Sequence, residues 1–102
     1  MAAALLATSA ATAAADPGSN RQTELLYLLT QDCGSCHGMT LKGGLGPSLR
    51  PEALEGKPAA ALADTIRSGV PGTPMPPWAF EITEDEAEWL ARTLKTGNAD
   101  AR

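Results

Sequence analysis

Residues 32–40 read DCGSCHGMT and hold both cysteines and the single histidine of a 102-residue chain. Cys33-Gly34-Ser35-Cys36-His37 is C-x-x-C-H, the spacing that attaches c-type haem. Two thiols three residues apart at the end of a helix can reach the two vinyl groups of one porphyrin and form thioethers. The next residue, His37, then sits under the ring and offers its imidazole to iron. Three bonds from five residues fix the haem against the chain.

Other uses of this stretch fit less well. A disulfide or thioredoxin-like redox pair would want a βαβ context, and no strand pattern of period two is visible. A structural zinc site takes four ligands, whereas the chain has two Cys and one His in all.

Composition agrees with a haem-centred domain. The length suits one domain. Two Trp, one Tyr and one Phe are few aromatics for a self-supporting core, and so small a domain usually needs a staple such as a metal or a large apolar ligand. Twelve acidic against eight basic residues give a net charge of −4. That balance argues against nucleic acid, whose phosphates are held by clustered Lys and Arg.

The first sixteen residues, MAAALLATSAATAAAD, are small and apolar with no charge before Asp16. Ala13-Ala14-Ala15 offers an A-x-A cleavage site, so residues 1–15 are expected to be a signal peptide and 16–102 the mature monohaem domain, delivered to the periplasm. No Lys or Arg precedes the apolar run, which leaves open a start codon further upstream. The run is too short and too weakly apolar to span a membrane.

From Ser19 onward the chain reads as helices joined by Gly/Pro loops. Ser19 or Asn20 would cap a first helix with Leu25, Leu28 and Leu29 on one face. A short turn is expected after Pro51. Pro58 would open a helix carrying Leu62 and Ile66 and ending at Gly69. Thr83 and Glu86 form a capping box for a last helix that ends at Gly97, with Ala87, Leu90, Ala91 and Leu94 as its apolar stripe. Acidic residues fill its first turn and Arg92 and Lys95 its last, as the helix dipole prefers. The class is all-α, three to four helices around one haem.

Iron needs a sixth ligand or an open position. A second imidazole is excluded because His37 is the sole histidine. Methionine remains, and His/Met pairs are common in cytochromes c. Met1 lies in the leader. Met39 is two residues from His37, at most about 7 Å along the chain, which keeps it on the proximal side. Met75 lies in VPGTPMPPW, residues 70–78, between Pro71, Pro74, Pro76 and Pro77. A loop so locked holds its side chains in place, so Met75 is the expected distal ligand. A ligating His usually donates its other ring N–H to a carbonyl, and the Pro47 carbonyl in GLGPSL is nominated for His37. Pro76-Pro77-Trp78 reads equally as haem-pocket lining, with Trp78 against the ring, or as a docking patch.

CxxCH, then GPxL, then a Met-Pro loop, then an amphipathic terminal helix is the order found in class I cytochromes c, and the chain resembles that family over roughly residues 23–96. The resemblance implies thioethers at Cys33 and Cys36, axial His37 and Met75, the Pro47 carbonyl on His37, and N- and C-terminal helices that cross near one haem edge. Trp89 falls where the family often has an aromatic at that crossing, although a helical wheel sets it off the apolar stripe. DCGSCHGMTLKGGLGPSL with GTPMPPW is more closely similar to the small periplasmic monohaem cytochromes encoded beside the haem-c/haem-d nitrite reductase of denitrifying bacteria.

That resemblance implies a single-electron carrier, expected to act as a monomer, with nitrite reductase as its redox partner. The alternative it implies is a factor in maturation of that enzyme or its special haem. A third class, an enzyme or gas sensor, would need an open iron position, and Met75 speaks against it.

Overall fold

The computed structural model describes residues 16–98. The leader expected at residues 1–15 lies outside the described residues. Helix α1 spans Ser19–Leu28, a π-helical stretch follows over Leu29–Cys33, and α2 completes the same run at Gly34–His37. Three more helices follow: α3 at Pro51–Leu54, α4 at Ala59–Ser68 and α5 at Glu84–Thr96. No strand occurs among the described residues, as expected for the all-α class.

The first helix begins one residue earlier than its sequence caps suggest. Gly18, extended at φ −63° and ψ 162°, is the N-cap, and no side chain caps it. Ser19 is therefore already helical. The first intrahelical bond runs from the Gln22 N–H to the Gly18 carbonyl at 2.9 Å. Pro58 likewise is the N-cap of α4 rather than its first residue.

Helix α5 is the central beam. It packs on α4 most extensively, and also on α3 and α1. Ala87, Leu90, Ala91 and Leu94 are all buried, so the stripe read from spacing is the face that meets the core. Leu25, Leu28 and Leu29 close that core from the N-terminal helix, with Leu54 and Ile82 between. Trp89, set beside the stripe by the wheel, is half-buried and packs against this cluster. Its flank of the helix is covered because an indole is large enough to lean back onto neighbouring apolar groups.

The capping box forms in full, with Thr83 Oγ1 accepting from the Glu86 N–H and the Glu86 carboxylate accepting from the Thr83 N–H. Glu86 also ties α5 to α1, accepting from Arg21 Nε at 2.8 Å and Nη2 at 3.1 Å. The Arg21 guanidinium holds the Glu86 carboxyl below the usual carboxylate range. The stability this adds is present above the unfolded carboxylate value near 4 and is lost as pH falls through the lower folded value. Glu86→Ala is expected to cost the holoprotein about 1–2 kcal/mol near neutral pH, the sum of a lost cap and a partly exposed ion pair. Urea unfolding checks it, and the gap from the parent should shrink below pH 4. An equal gap at acid pH would mean that lost packing, not the charge, sets the effect.

Candidate haem site

The π-helical stretch Leu29–Cys33 runs straight into the attachment motif. It widens the helix by one residue just before Cys33, a rare feature that often marks functional positions. Cys33 and Cys36 follow on this turn and on α2, both half-buried and both free thiols. Burial, with Asp32 and Cys36 adding to it, pushes the Cys33 thiol up to about 11.

His37 ends α2, and the loop after it folds back tightly onto the motif. The Gly46 N–H donates to the Cys36 carbonyl and the Gly43 N–H to the His37 carbonyl, each at 2.8 Å. These bonds satisfy the last carbonyls of the helix. Leu41 holds the loop down, buried although its φ is +62°. The loop brings the Pro47 carbonyl oxygen to 2.7 Å from His37 Nδ1. A carbonyl only accepts, so Nδ1 carries the proton and Nε2 keeps the lone pair that a metal would use.

Gly46 has a part that its sequence position alone does not disclose. A Cβ there would lie 2.8 Å from His37 Cε1 and Nδ1. The backbone thus rests directly on the imidazole face, and only glycine leaves room for it.

Met75 lies on a separate loop between α4 and α5 and is half-buried. Its carbonyl accepts from the Val70 N–H at 3.2 Å, and its N–H donates to Thr73 Oγ1 at 3.3 Å. Trp78 is half-buried against the core. Its N–H is shared between the Ile66 and Arg67 carbonyls at 3.2 and 3.1 Å, which ties the loop to the end of α4. Phe80 stacks on the Trp78 indole with ring centroids 5.7 Å apart and is 80% exposed. Met39 is 57% exposed. It sits beside Gly34, its sulfur 3.5 Å from where a Gly34 Cβ would lie. An open groove between Arg21, Tyr27, Asp32 and Glu81 lies on the α1 side and includes neither His37 nor Met75.

Two free thiols, an imidazole with a fixed tautomer and a half-buried thioether make a donor set that fits haem c. A family model described as cytochrome c oxidase, cbb3-type, subunit III matches residues 20–92. The chain belongs to this family of c-type cytochromes. It is 57% identical over 81 residues to cytochrome c55X of Pseudomonas aeruginosa, covering 79% of this chain and 68% of that protein. The solved structure of a c-type cytochrome NirC superposes with a TM-score of 0.79 at 54% identity, covering 81% of this chain and 98% of the other. A shorter likeness, 37% over 71 residues, is to the dihydro-heme d1 dehydrogenase of P. aeruginosa, covering 70% of this chain and 14% of that protein.

The fold is therefore that of a class I cytochrome c, and covalently bound haem c with its iron is the cofactor. The protein is an electron-transfer protein rather than an enzyme. Among the described residues no helix is long and apolar enough to cross a membrane.

Proposed function

We propose that this cytochrome is an exported one-electron carrier whose acceptor is the haem-c/haem-d nitrite reductase. The observation that carries the reading is the likeness to NirC over nearly the whole of that chain. In this account residues 1–15 direct export to the periplasm, and 16–102 act there as the mature domain. When bound, haem iron supplies the one-electron couple.

The chain's residues hold and tune that couple. Cys33 and Cys36 provide the thioethers. His37, its imidazole oriented by the Pro47 carbonyl, and Met75 would hold the iron. A neutral thioether favours the reduced metal and raises the potential. The proline-locked backbone around Met75 limits rearrangement between oxidation states, which keeps electron transfer fast. Trp78, packed against the core three residues after Met75, would line the haem pocket, and apolar surroundings disfavour the extra positive charge of the oxidised site.

The acidic balance of the chain, net −4, suits docking on a basic face of the acceptor, and such docking is screened by salt. The test mixes reduced holoprotein with purified nitrite reductase and nitrite, and follows reoxidation against an unrelated cytochrome of similar potential. A faster reaction that slows as salt rises is expected. Equally slow reaction of both cytochromes would remove the donor role. A fast rate indifferent to salt would move the docking surface to the exposed Pro76-Pro77 and Phe80 edge. The second reading, a part in maturation of that reductase or its haem, is favoured by the likeness to a dihydro-heme d1 dehydrogenase. It becomes the leading one if the donor role fails.

A further inference from the structure

Gly69, the residue that ends α4, is buried and has φ 70° and ψ −175°. Only glycine occupies that region at low cost. A Cβ at this position would lie 2.7 Å from the Pro77 nitrogen and 2.8 Å from both the Met75 carbonyl oxygen and the Pro76 carbonyl carbon. All three are backbone atoms, so no rotamer change relieves the clash. The neighbouring prolines, 74, 76 and 77, leave that backbone little freedom to retreat.

The turn between Gly69 and Met75 is closed by its own bonds. Val70 N–H donates to the Met75 carbonyl at 3.2 Å, and the Thr73 N–H and hydroxyl donate to the Val70 carbonyl at 3.1 and 2.7 Å. The Thr73 hydroxyl oxygen accepts from the Met75 N–H at 3.3 Å. Beyond Met75, the Ala79 N–H donates to the Arg67 carbonyl at 3.1 Å. The Met75 backbone is thus pressed on the end of α4 and pinned on both sides.

We propose that Gly69 and Thr73 are positioning residues for Met75: the side-chain-free surface of Gly69 and the Thr73 hydroxyl set how far the Met75 thioether reaches, and so how well it holds the sixth coordination position. This rests on the reading of Met75 as the axial ligand. A residue with a Cβ at position 69 pushes the Met75–Pro77 backbone outward. The thioether then yields to a competing ligand, while the helices keep their packing.

The probe is imidazole, titrated into the oxidised holoprotein, with the ferric sulfur-to-iron charge-transfer band followed alongside. Gly69→Ala should raise imidazole affinity by about tenfold or more and weaken the band, because both the backbone strain and the clash act on the Met75 loop. Thr73→Val, at an exposed site, should keep the fold and raise the affinity by about threefold, as the loss of the two exposed hydrogen bonds of its hydroxyl suggests. Gly72→Ala is the control. Gly72 has φ +81°, so it shares the left-handed strain, but nothing lies within 4 Å of its Cβ position. It should match the parent.

A parental band and imidazole affinity in Gly69→Ala overturn the proposal, as does equal weakening by Gly72→Ala. Should Gly69→Ala not accumulate as folded holoprotein, Thr73→Val decides, and a parental affinity there overturns it. Met75→Ala separates the two levels. If it keeps the charge-transfer band, the ligation reading itself fails. If it loses the band while Gly69→Ala and Thr73→Val behave as the parent, only the positioning role fails.

Discussion

Met75→Ala is expected to abolish the ferric sulfur-to-iron charge-transfer band and open the sixth coordination position, whereas Met39→Ala changes neither. The reduction potential should fall by on the order of 0.1 V or more, within the ~0.8 V over which axial ligands move haem. The contrast follows from where the two thioethers lie. Met39 follows His37 by two residues, is 57% exposed and has its sulfur beside Gly34 on the motif itself. Met75 is half-buried on the far loop, with its carbonyl and N–H both engaged. Spectra and potentiometry of the two holoprotein variants check the assignment. Survival of the band in Met75→Ala, or its loss in Met39→Ala, would reverse it.

Removal of the haem should be as damaging to the fold as removal of Met75 is to the iron. A Cys33→Ala/Cys36→Ala chain, unable to hold the ring covalently, is expected to lose at least about half of its far-ultraviolet helical signal, because short helices are marginal without packing. Helix α5 has 13 residues, α4 has 10 and α3 has 4, and the N-terminal run Ser19–His37 is broken by the π-helical stretch into pieces of 10, 5 and 4. The protein core is small and aliphatic, built on Leu25, Leu28, Leu29, Ile82, Leu90 and Leu94. No aromatic ring is fully buried among the described residues: Trp78 and Trp89 are half-buried, while Tyr27 and Phe80 are exposed at 68% and 80%. Such a core offsets little of the entropy of ordering the chain. Near-native circular dichroism of the double variant would refute the claim.

The parts of this fold that could be read from sequence are those whose chemistry is local. The capping box of α5 needs only Thr83 and Glu86 three residues apart. Its stop needs only Gly97, which adopts φ 79° and donates its N–H to the Leu94 carbonyl at 3.2 Å. The five-residue attachment motif is local in the same way. Where no side chain caps the helix, spacing misplaces its start by a residue, as at Gly18 and Pro58. The π-helical stretch leaves no compositional mark, since LTQDC suits an ordinary helix equally well. A helical wheel sets Trp89 off the stripe because it assigns directions and takes no account of the reach of an indole. Contacts between distant segments were beyond reach. Gly46 and Gly69 look like ordinary loop glycines until the fold presses one against the His37 ring and the other against the Met75–Pro77 backbone.

The central claim is that a covalently attached haem, closed on both sides by this chain, passes single electrons and does no chemistry on a substrate. The most direct test is a spectroelectrochemical titration of the intact holoprotein, followed by carbon monoxide on the reduced form. The account predicts one haem per chain, a single reversible one-electron wave, the sulfur-to-iron band in the oxidised state, and a reduced spectrum unchanged by carbon monoxide. A reduced protein that binds carbon monoxide readily, or an oxidised one without the thioether band, would contradict it.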